Sequence, residues 1–238
     1  SYSTIWSALK GIIKKIFGQE QIIKSAARYF DGLASVNYLC SKLAEKNRDN
    51  PIFAYSTLLH PHTPYYPPQW CLDHVFKGEK IDPLSFTIQA DVHGWSNGNY
   101  GPAESAIESM KKCYEAELLY GDYLVGELVN QLRNNGTLDN TLLVITSDHG
   151  EFFGEDGWLN HGGTVREELF CLPCIIHYPK KIKGGTKINQ LTSALDLAPT
   201  IFDLIGMLGN LEQRTQLDGV SILGGKHLSD DRILTIDS

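Results

Sequence analysis

The stretch Thr141-Leu142-Leu143-Val144-Ile145-Thr146-Ser147-Asp148-His149-Gly150-Glu151 decides how this chain is read. Thr141 to Thr146 is an apolar, β-branched run with the composition of a strand, and it leads straight into a polar cluster. In open α/β sheets ligands bind beyond the carboxyl ends of strands, which is where Asp148 and His149 would sit. A carboxylate and an imidazole are both ligands for divalent metals, and adjacent ones must splay around a tight turn that Gly150 permits. A lone Asp-His-Gly is more often a polar loop than a site, so its company decides.

Working outward, Pro102 suits a first helical turn, and Ala103 to Asn134 reads as one long helix closed by Asn135-Gly136. Further upstream, Ile52 to Leu59 is an apolar run read as a buried strand. Gln21 to Asn47 carries Ala27, Phe30, Leu33, Leu39 and Leu43 and reads as helical until Asn50-Pro51 ends it. Downstream, Thr164 with Glu167 has the spacing of a capping box opening a short helix. Cys174 to Tyr178 reads as a strand ended by Pro179, and Asp196 to Ile205 as a helix closed by Gly206. Such alternation predicts an α/β domain, a mostly parallel sheet flanked by helices, with Thr141 to Thr146 as a central parallel strand.

The chain has 238 residues, so at roughly 100–200 residues per domain it makes one large domain or two small ones. With 42% hydrophobic and 21% charged residues it is not a disordered chain. A net charge of −7 argues against broad nucleic-acid binding, which depends on basic residues meeting phosphates. No run approaches the ~18–20 apolar residues of a membrane span. Five cysteines, an odd number, do not suggest a disulfide scaffold. Within residues 1–24, Ile5, Trp6, Leu9, Ile12, Ile13, Ile16 and Phe17 recur at helical spacing opposite Lys10, Lys14 and Lys15. A surface helix packed on its own domain outweighs a membrane-surface helix there. The chain opens Ser1-Tyr2 without Met, as a processed or truncated piece would.

Three histidines keep company with Asp148. The strand ending near Leu59 runs into His60-Pro61-His62-Thr63-Pro64-Tyr65, whose prolines would stiffen a loop holding His62 at the same rim. A solvent-exposed Pro/His turn is the competing reading. His161-Gly162-Gly163 follows twelve residues after His149. Imidazoles around one acidic residue suit a metal site or an acid/base set, and the sequence leaves both open. Cys171-Leu172-Pro173-Cys174 has redox spacing, but it continues into a strand and reads as a buried strand pair.

The order of these motifs resembles the sulfatase family of the alkaline-phosphatase superfamily. TSDHGEFFGEDGWLNHGG followed by REELFCLPCII resembles the family's metal-binding segment. PIFAYSTLLHPHTPY is similar to its strand ending in Pro-His-x-Pro-Tyr, and LDLAPTIFDLIG with LDGVSIL to its later helix and turn. The likeness runs from about Ser25 to Ser238, so residues 1–238 are read as part of one catalytic domain.

The resemblance implies a metal-dependent hydrolase of sulfate esters, acting on a small-molecule or glycan sulfate or phosphate ester. It implies that Asp148 and His149 ligate a divalent cation, Ca2+ or Mn2+ first, with Mg2+ and Zn2+ open. His62 would contact the transferred sulfuryl or phosphoryl group, or the leaving oxygen. His161 falls where many members place a lysine. A first strand with an Asp pair, and a Cys/Ser-x-Pro-x-Arg nucleophile, are not found in this sequence. This chain alone is therefore expected to be inactive. A phosphoester or phosphonate hydrolase, a phosphoglycerol transferase, and a non-catalytic binding module that kept the fold remain the alternatives.

Overall fold

The computed structural model describes residues 22–26, 31–45, 51–79, 104–162, 164–209 and 217–223. The amphipathic segment from Ile5 to Phe17 lies outside them. In chain order the described elements are β1 (Ile22–Ala26), α1 (Gly32–Glu45), β2 (Phe53–Thr57), α2 (Gln69–Val75), α3 (Glu104–Asn134), β3 (Leu143–Thr146), β4 (Phe152–Phe153), β5 (Leu159–Asn160), α4 (Glu167–Phe170), β6 (Cys174–His177) and α5 (Leu197–Leu204).

The long helix α3 organises the packing. Met110, Cys113, Ala116, Tyr120 and Leu124 recur along it and are all buried, giving one apolar stripe. Against this stripe lie α1 through Val36 and Cys40, and α2 through Cys71 and Leu72, with Phe76 just past its end. Tyr65 and Leu159 complete the cluster, so the core joins the helices to the loop after β2 and to β5. The helix stops as its sequence predicts. Gly136 takes φ +71, its N–H bonds the Arg133 carbonyl, and the Thr137 N–H bonds the Leu132 carbonyl, the paired closure of a Schellman motif.

β1 runs parallel to β2, with Ile22 opposite Phe53 and Ala26 opposite Thr57. This corrects the helical reading of Gln21 to Asn47: among the described residues of that stretch the helix is α1, and Ile22 to Ala26 is a strand. A β-branched pair such as Ile22-Ile23 fits a pleated surface, and an available partner strand overrides local helical spacing. α1 starts where Asp31 accepts the Ala34 N–H at 2.8 Å, a side-chain N-cap.

β3 pairs antiparallel with β6, Leu143 opposite His177 and Thr146 opposite Cys174. The α/β class stands, but among the described residues β3 has one partner, β6, and that pairing is antiparallel where parallel neighbours were expected on both sides. β2 is half-buried to exposed along its length, not a buried strand. Cys171 and Cys174 are exposed free thiols, not a buried pair. The Thr164–Glu167 capping box does not form either. α4 is preceded by Arg166 in extended conformation with no side-chain cap.

A capping box forms instead at Ser193 and Asp196, where the Ser193 N–H donates to Asp196 Oδ2 at 2.8 Å and the Leu195 N–H to Ser193 Oγ at 3.3 Å. Asp196 is 1% exposed, and its Oδ1 also accepts the Val220 N–H at 2.9 Å. Thr200 Oγ1 donates to the Asp196 carbonyl and accepts the Ile222 N–H, so the turn 217–223 is stitched to α5. Gly219 makes that approach possible: a Cβ there would stand 2.2 Å from the Leu195 carbonyl oxygen.

Candidate active site

Asp148 and His149 sit just past β3, on a loop anchored from both sides. Thr146 Oγ1 donates to the Pro173 carbonyl at 2.8 Å, and the Gly150 N–H donates to the Leu169 carbonyl at 2.9 Å. The requirement for glycine at 150 is one of space. A Cβ on Gly150 would lie 1.9 Å from the Glu168 carbonyl oxygen, so the loop can approach α4 only without a side chain.

The structure brings the three histidines together. The His149 and His161 rings stack with centroids 3.9 Å apart and planes 29° from parallel. His62 stands edge-on to both, 5.1 Å from His161 and 6.4 Å from His149. Residues far apart in sequence thus meet at the ends of β2, β3 and β5.

Each ring is oriented by an acceptor at Nδ1. His62 Nδ1 lies 2.6 Å from the Thr63 carbonyl oxygen, His149 Nδ1 2.8 Å from the Gly150 carbonyl oxygen, and His161 Nδ1 3.0 Å from Glu151 Oε1. An oxygen acceptor assigns the proton of a neutral ring to Nδ1 and leaves Nε2 as the nitrogen that can meet a ligand. His149 Nε2 and Asp148 Oδ1 are 3.9 Å apart, too long for a hydrogen bond. That spacing suits two ligands of one cation, each reaching it over about 2.0–2.5 Å. Among the described residues no group of three or more His, Cys, Asp or Glu side chains is arranged to hold a metal ion. The pair fits part of a coordination shell.

Behind the histidines lie two carboxylates, Glu151 and Glu117, that no sequence motif singles out as site residues. Glu151, its side chain 4% exposed, accepts from His161 at Oε1 and from the Tyr65 hydroxyl at Oε2, 3.2 Å away. Tyr65 is fully buried, and burial together with Glu151 pushes its phenol far above the usual range. Glu117, 1% exposed, accepts the Tyr66 N–H at 2.7 Å on Oε1 and the Nδ1–H of His60 on Oε2. A signal for Glu117 existed: it interrupts the apolar stripe of α3, three residues before Tyr120 and four after Cys113. Arg166 is taken up by Asp156 at 2.7 Å and Glu168 at 3.3 Å.

Comparison with known proteins defines first a class. The chain superimposes on the phosphonate monoester hydrolase of Agrobacterium radiobacter with TM-score 0.58 and 20% identity, over 92% of this chain and 49% of that one, so the two share an α/β fold. The sequence profile of the Sulfatase family matches residues 26–207, and the chain belongs to that family. It is 39% identical over 109 residues to an N-acetylglucosamine-6-O-sulfatase of Bacteroides thetaiotaomicron, covering 46% of this chain and 19% of the relative. It is 30% identical over 219 residues to the choline-sulfatase of Rhizobium meliloti, covering 84% and 41% respectively. The chain therefore spans well under half the length of the curated relatives it matches. Among the described residues no helix is long and apolar enough to cross a membrane.

Proposed function

We propose that the protein carrying this chain hydrolyses sulfate esters of small molecules or glycans, and that residues 1–238 form the later portion of its catalytic domain. The observation that carries the reading is the meeting of His62, His149 and His161 beside Asp148, within 6.4 Å centroid to centroid, in a chain of the Sulfatase family. The name of the Bacteroides relative supports a sulfated amino sugar as the substrate class.

Asp148 and His149 would hold a divalent cation, Ca2+ or Mn2+ by preference, through Oδ1 and Nε2. Such a cation, when bound, polarises the ester and lowers the charge cost of the attack. His62 meets the transferred group or the leaving oxygen with Nε2, its Nδ1 being engaged by the Thr63 carbonyl. His161, set by Glu151, supplies a second donor to the developing negative charge. The nucleophile and the remaining metal ligands come from outside these residues, so this chain alone turns over nothing.

A phosphonate or phosphodiester substrate is the second reading. It is favoured by His161, an imidazole of conditional charge where the resemblance expects a permanently charged lysine. A substrate panel on the intact protein separates the two. Sulfate release from N-acetylglucosamine 6-sulfate and an aryl sulfate supports the first reading. Preferential cleavage of a phosphonate monoester or phosphodiester supports the second. No turnover of any ester, with no Mn2+ or Ca2+ binding, overturns both and leaves a binding module.

A further inference from the structure

We propose that Glu117 is a positioning residue that fixes His62 by holding both ends of the loop that carries it. The loop from His60 to Tyr66 leaves β2 and crosses the face of α3. Glu117 points from α3 into that crossing, 1% exposed, and meets the loop at its first and last residues. Oε2 takes the Nδ1–H of His60, whose side chain is 5% exposed, and Oε1 takes the Tyr66 N–H at 2.7 Å. One carboxylate thus closes a seven-residue span into a ring, and His62 lies inside it.

The surroundings tighten the clamp. The His60 ring stands edge-on to Tyr120, one turn along α3, at 4.8 Å and 79°. On its other side a Cβ added to Gly32, at the start of α1, would lie 3.3 Å from the His60 ring and 2.3 Å from Leu124. The ring therefore fills a slot between α1 and α3 that leaves no slack. Inside the loop, the Tyr65 hydroxyl is taken by Glu151, which also orients His161. His62 and His161 are accordingly placed by two buried carboxylates joined through Tyr65, and the 5.1 Å between their rings is set from behind.

A carboxylate is the one side chain that accepts on both oxygens. In Glu117→Gln one acceptor becomes a donor, so the amide can keep the Tyr66 N–H on its oxygen but holds His60 only if that ring shifts its proton from Nδ1 to the buried Nε2, which has no partner among the described residues. The tie to His60 is thereby weakened, by its loss or by a buried Nε2–H left unpaired, while the apolar packing of α3 keeps its volume.

The inference rests on the role given to His62 under the proposed function, so its test is read in two independent ways on the intact protein. The first is imidazole NMR with 15N-labelled histidine. Glu117→Gln should abolish the hydrogen-bonded His60 Nδ1–H signal and shift or broaden the His62 ring signals, in a protein that still unfolds cooperatively. The second is sulfate release from N-acetylglucosamine 6-sulfate. Here kcat should fall about 10- to 100-fold with KM little changed, as for loss of a residue that orients a reacting group. Adding Glu117→Gln to a His62→Ala background should cost nothing further, because Glu117 acts through His62. Unchanged His62 signals in folded Glu117→Gln, or a loss that multiplies with that of His62→Ala, overturns the proposal. If Glu117→Gln does not fold, His60→Gln, which keeps a donor for Glu117, should give the same changes in smaller measure; unaltered His62 signals there overturn it. Absence of any turnover by the wild type defeats the sulfate-ester reading, and the ring signals still decide the clamp.

Discussion

The imidazole of His161 stacks on that of His149 at 3.9 Å because Glu151 holds it there through Nδ1. The residue proposed to meet the cation and the residue proposed to meet the ester group are thereby spaced by a carboxylate that itself touches neither role. Glu151 is 4% exposed at the side chain and is shared with the Tyr65 hydroxyl.

Glu151→Gln should therefore weaken both ties. Leaving a buried donor without its acceptor costs about 1–3 kcal/mol, so a urea-unfolding midpoint should fall accordingly. Tyr65→Phe removes only the longer of the two hydrogen bonds, at 3.2 Å, and should cost less, about 0.5–1.5 kcal/mol. Equal costs for the two variants would contradict the sharing.

Gly150→Ala tests the contact between the Asp148–His149 loop and α4. The added methyl meets the Glu168 carbonyl oxygen at 1.9 Å, and backbone cannot turn aside as a side chain can. Overpacking of this kind costs about 1–3 kcal/mol, and the melting temperature should drop by several degrees. A variant as stable as the parent would show that the loop does not lie against α4.

Much of this arrangement was legible in the residues, and the exceptions share a cause. β6 and the closure of α3 at Asn135-Gly136 follow from local chemistry, a β-branched run and a residue free to take positive φ. Ile22 to Ala26 does not show as a strand in the sequence, because the neighbouring residues have helical spacing and the partner strand, β2, is remote along the chain. Thr164 and Glu167 have the spacing of a capping box, but α4 starts after an extended Arg166 with no side-chain cap. His62, His149 and His161 were found because each sits in a stiff or glycine-bounded loop at an element's end. Glu117 and Glu151 do not stand out in the sequence, because their importance lies in what they hold, which spacing along the chain does not display.

Asp196→Ala should be among the more damaging substitutions away from the site. It strips acceptors from the Ser193 and Val220 N–H groups together and detaches residues 217–223 from α5. At about 1–3 kcal/mol for each buried donor left unpaired, the loss should exceed that of any single exposed substitution. Hydrogen exchange reads it directly: the Val220 amide should lose protection while amides of α3 keep theirs.

The thiols give a pH dependence. Burial, with Glu117 nearby, pushes Cys71 and Cys113 from 9.0 up to about 11. A thiol whose ionisation is raised by folding stabilises the fold fully below the unfolded value and loses that contribution as pH rises through the folded one. Stability should therefore decline between about pH 9 and pH 11, and Cys71→Ser with Cys113→Ser should flatten that decline. A thiol reagent at pH 8 should label the exposed Cys171 and Cys174 and spare the two buried ones. Rapid labelling of Cys113 in the folded protein would contradict its burial.

Asp148 and His149 are proposed to hold the divalent cation of a sulfate-ester hydrolase. The decisive assay is sulfate release from N-acetylglucosamine 6-sulfate by the intact protein, stripped of metal and then resupplied with Ca2+ or Mn2+. Activity should fall on stripping and return with the cation in the wild type. In Asp148→Ala it should be lost by at least about 100-fold and not return, as removal of charge stabilisation at a reacting centre does. Asp148→Ala turning over the ester at the wild-type rate, with the same dependence on added cation, would contradict that role.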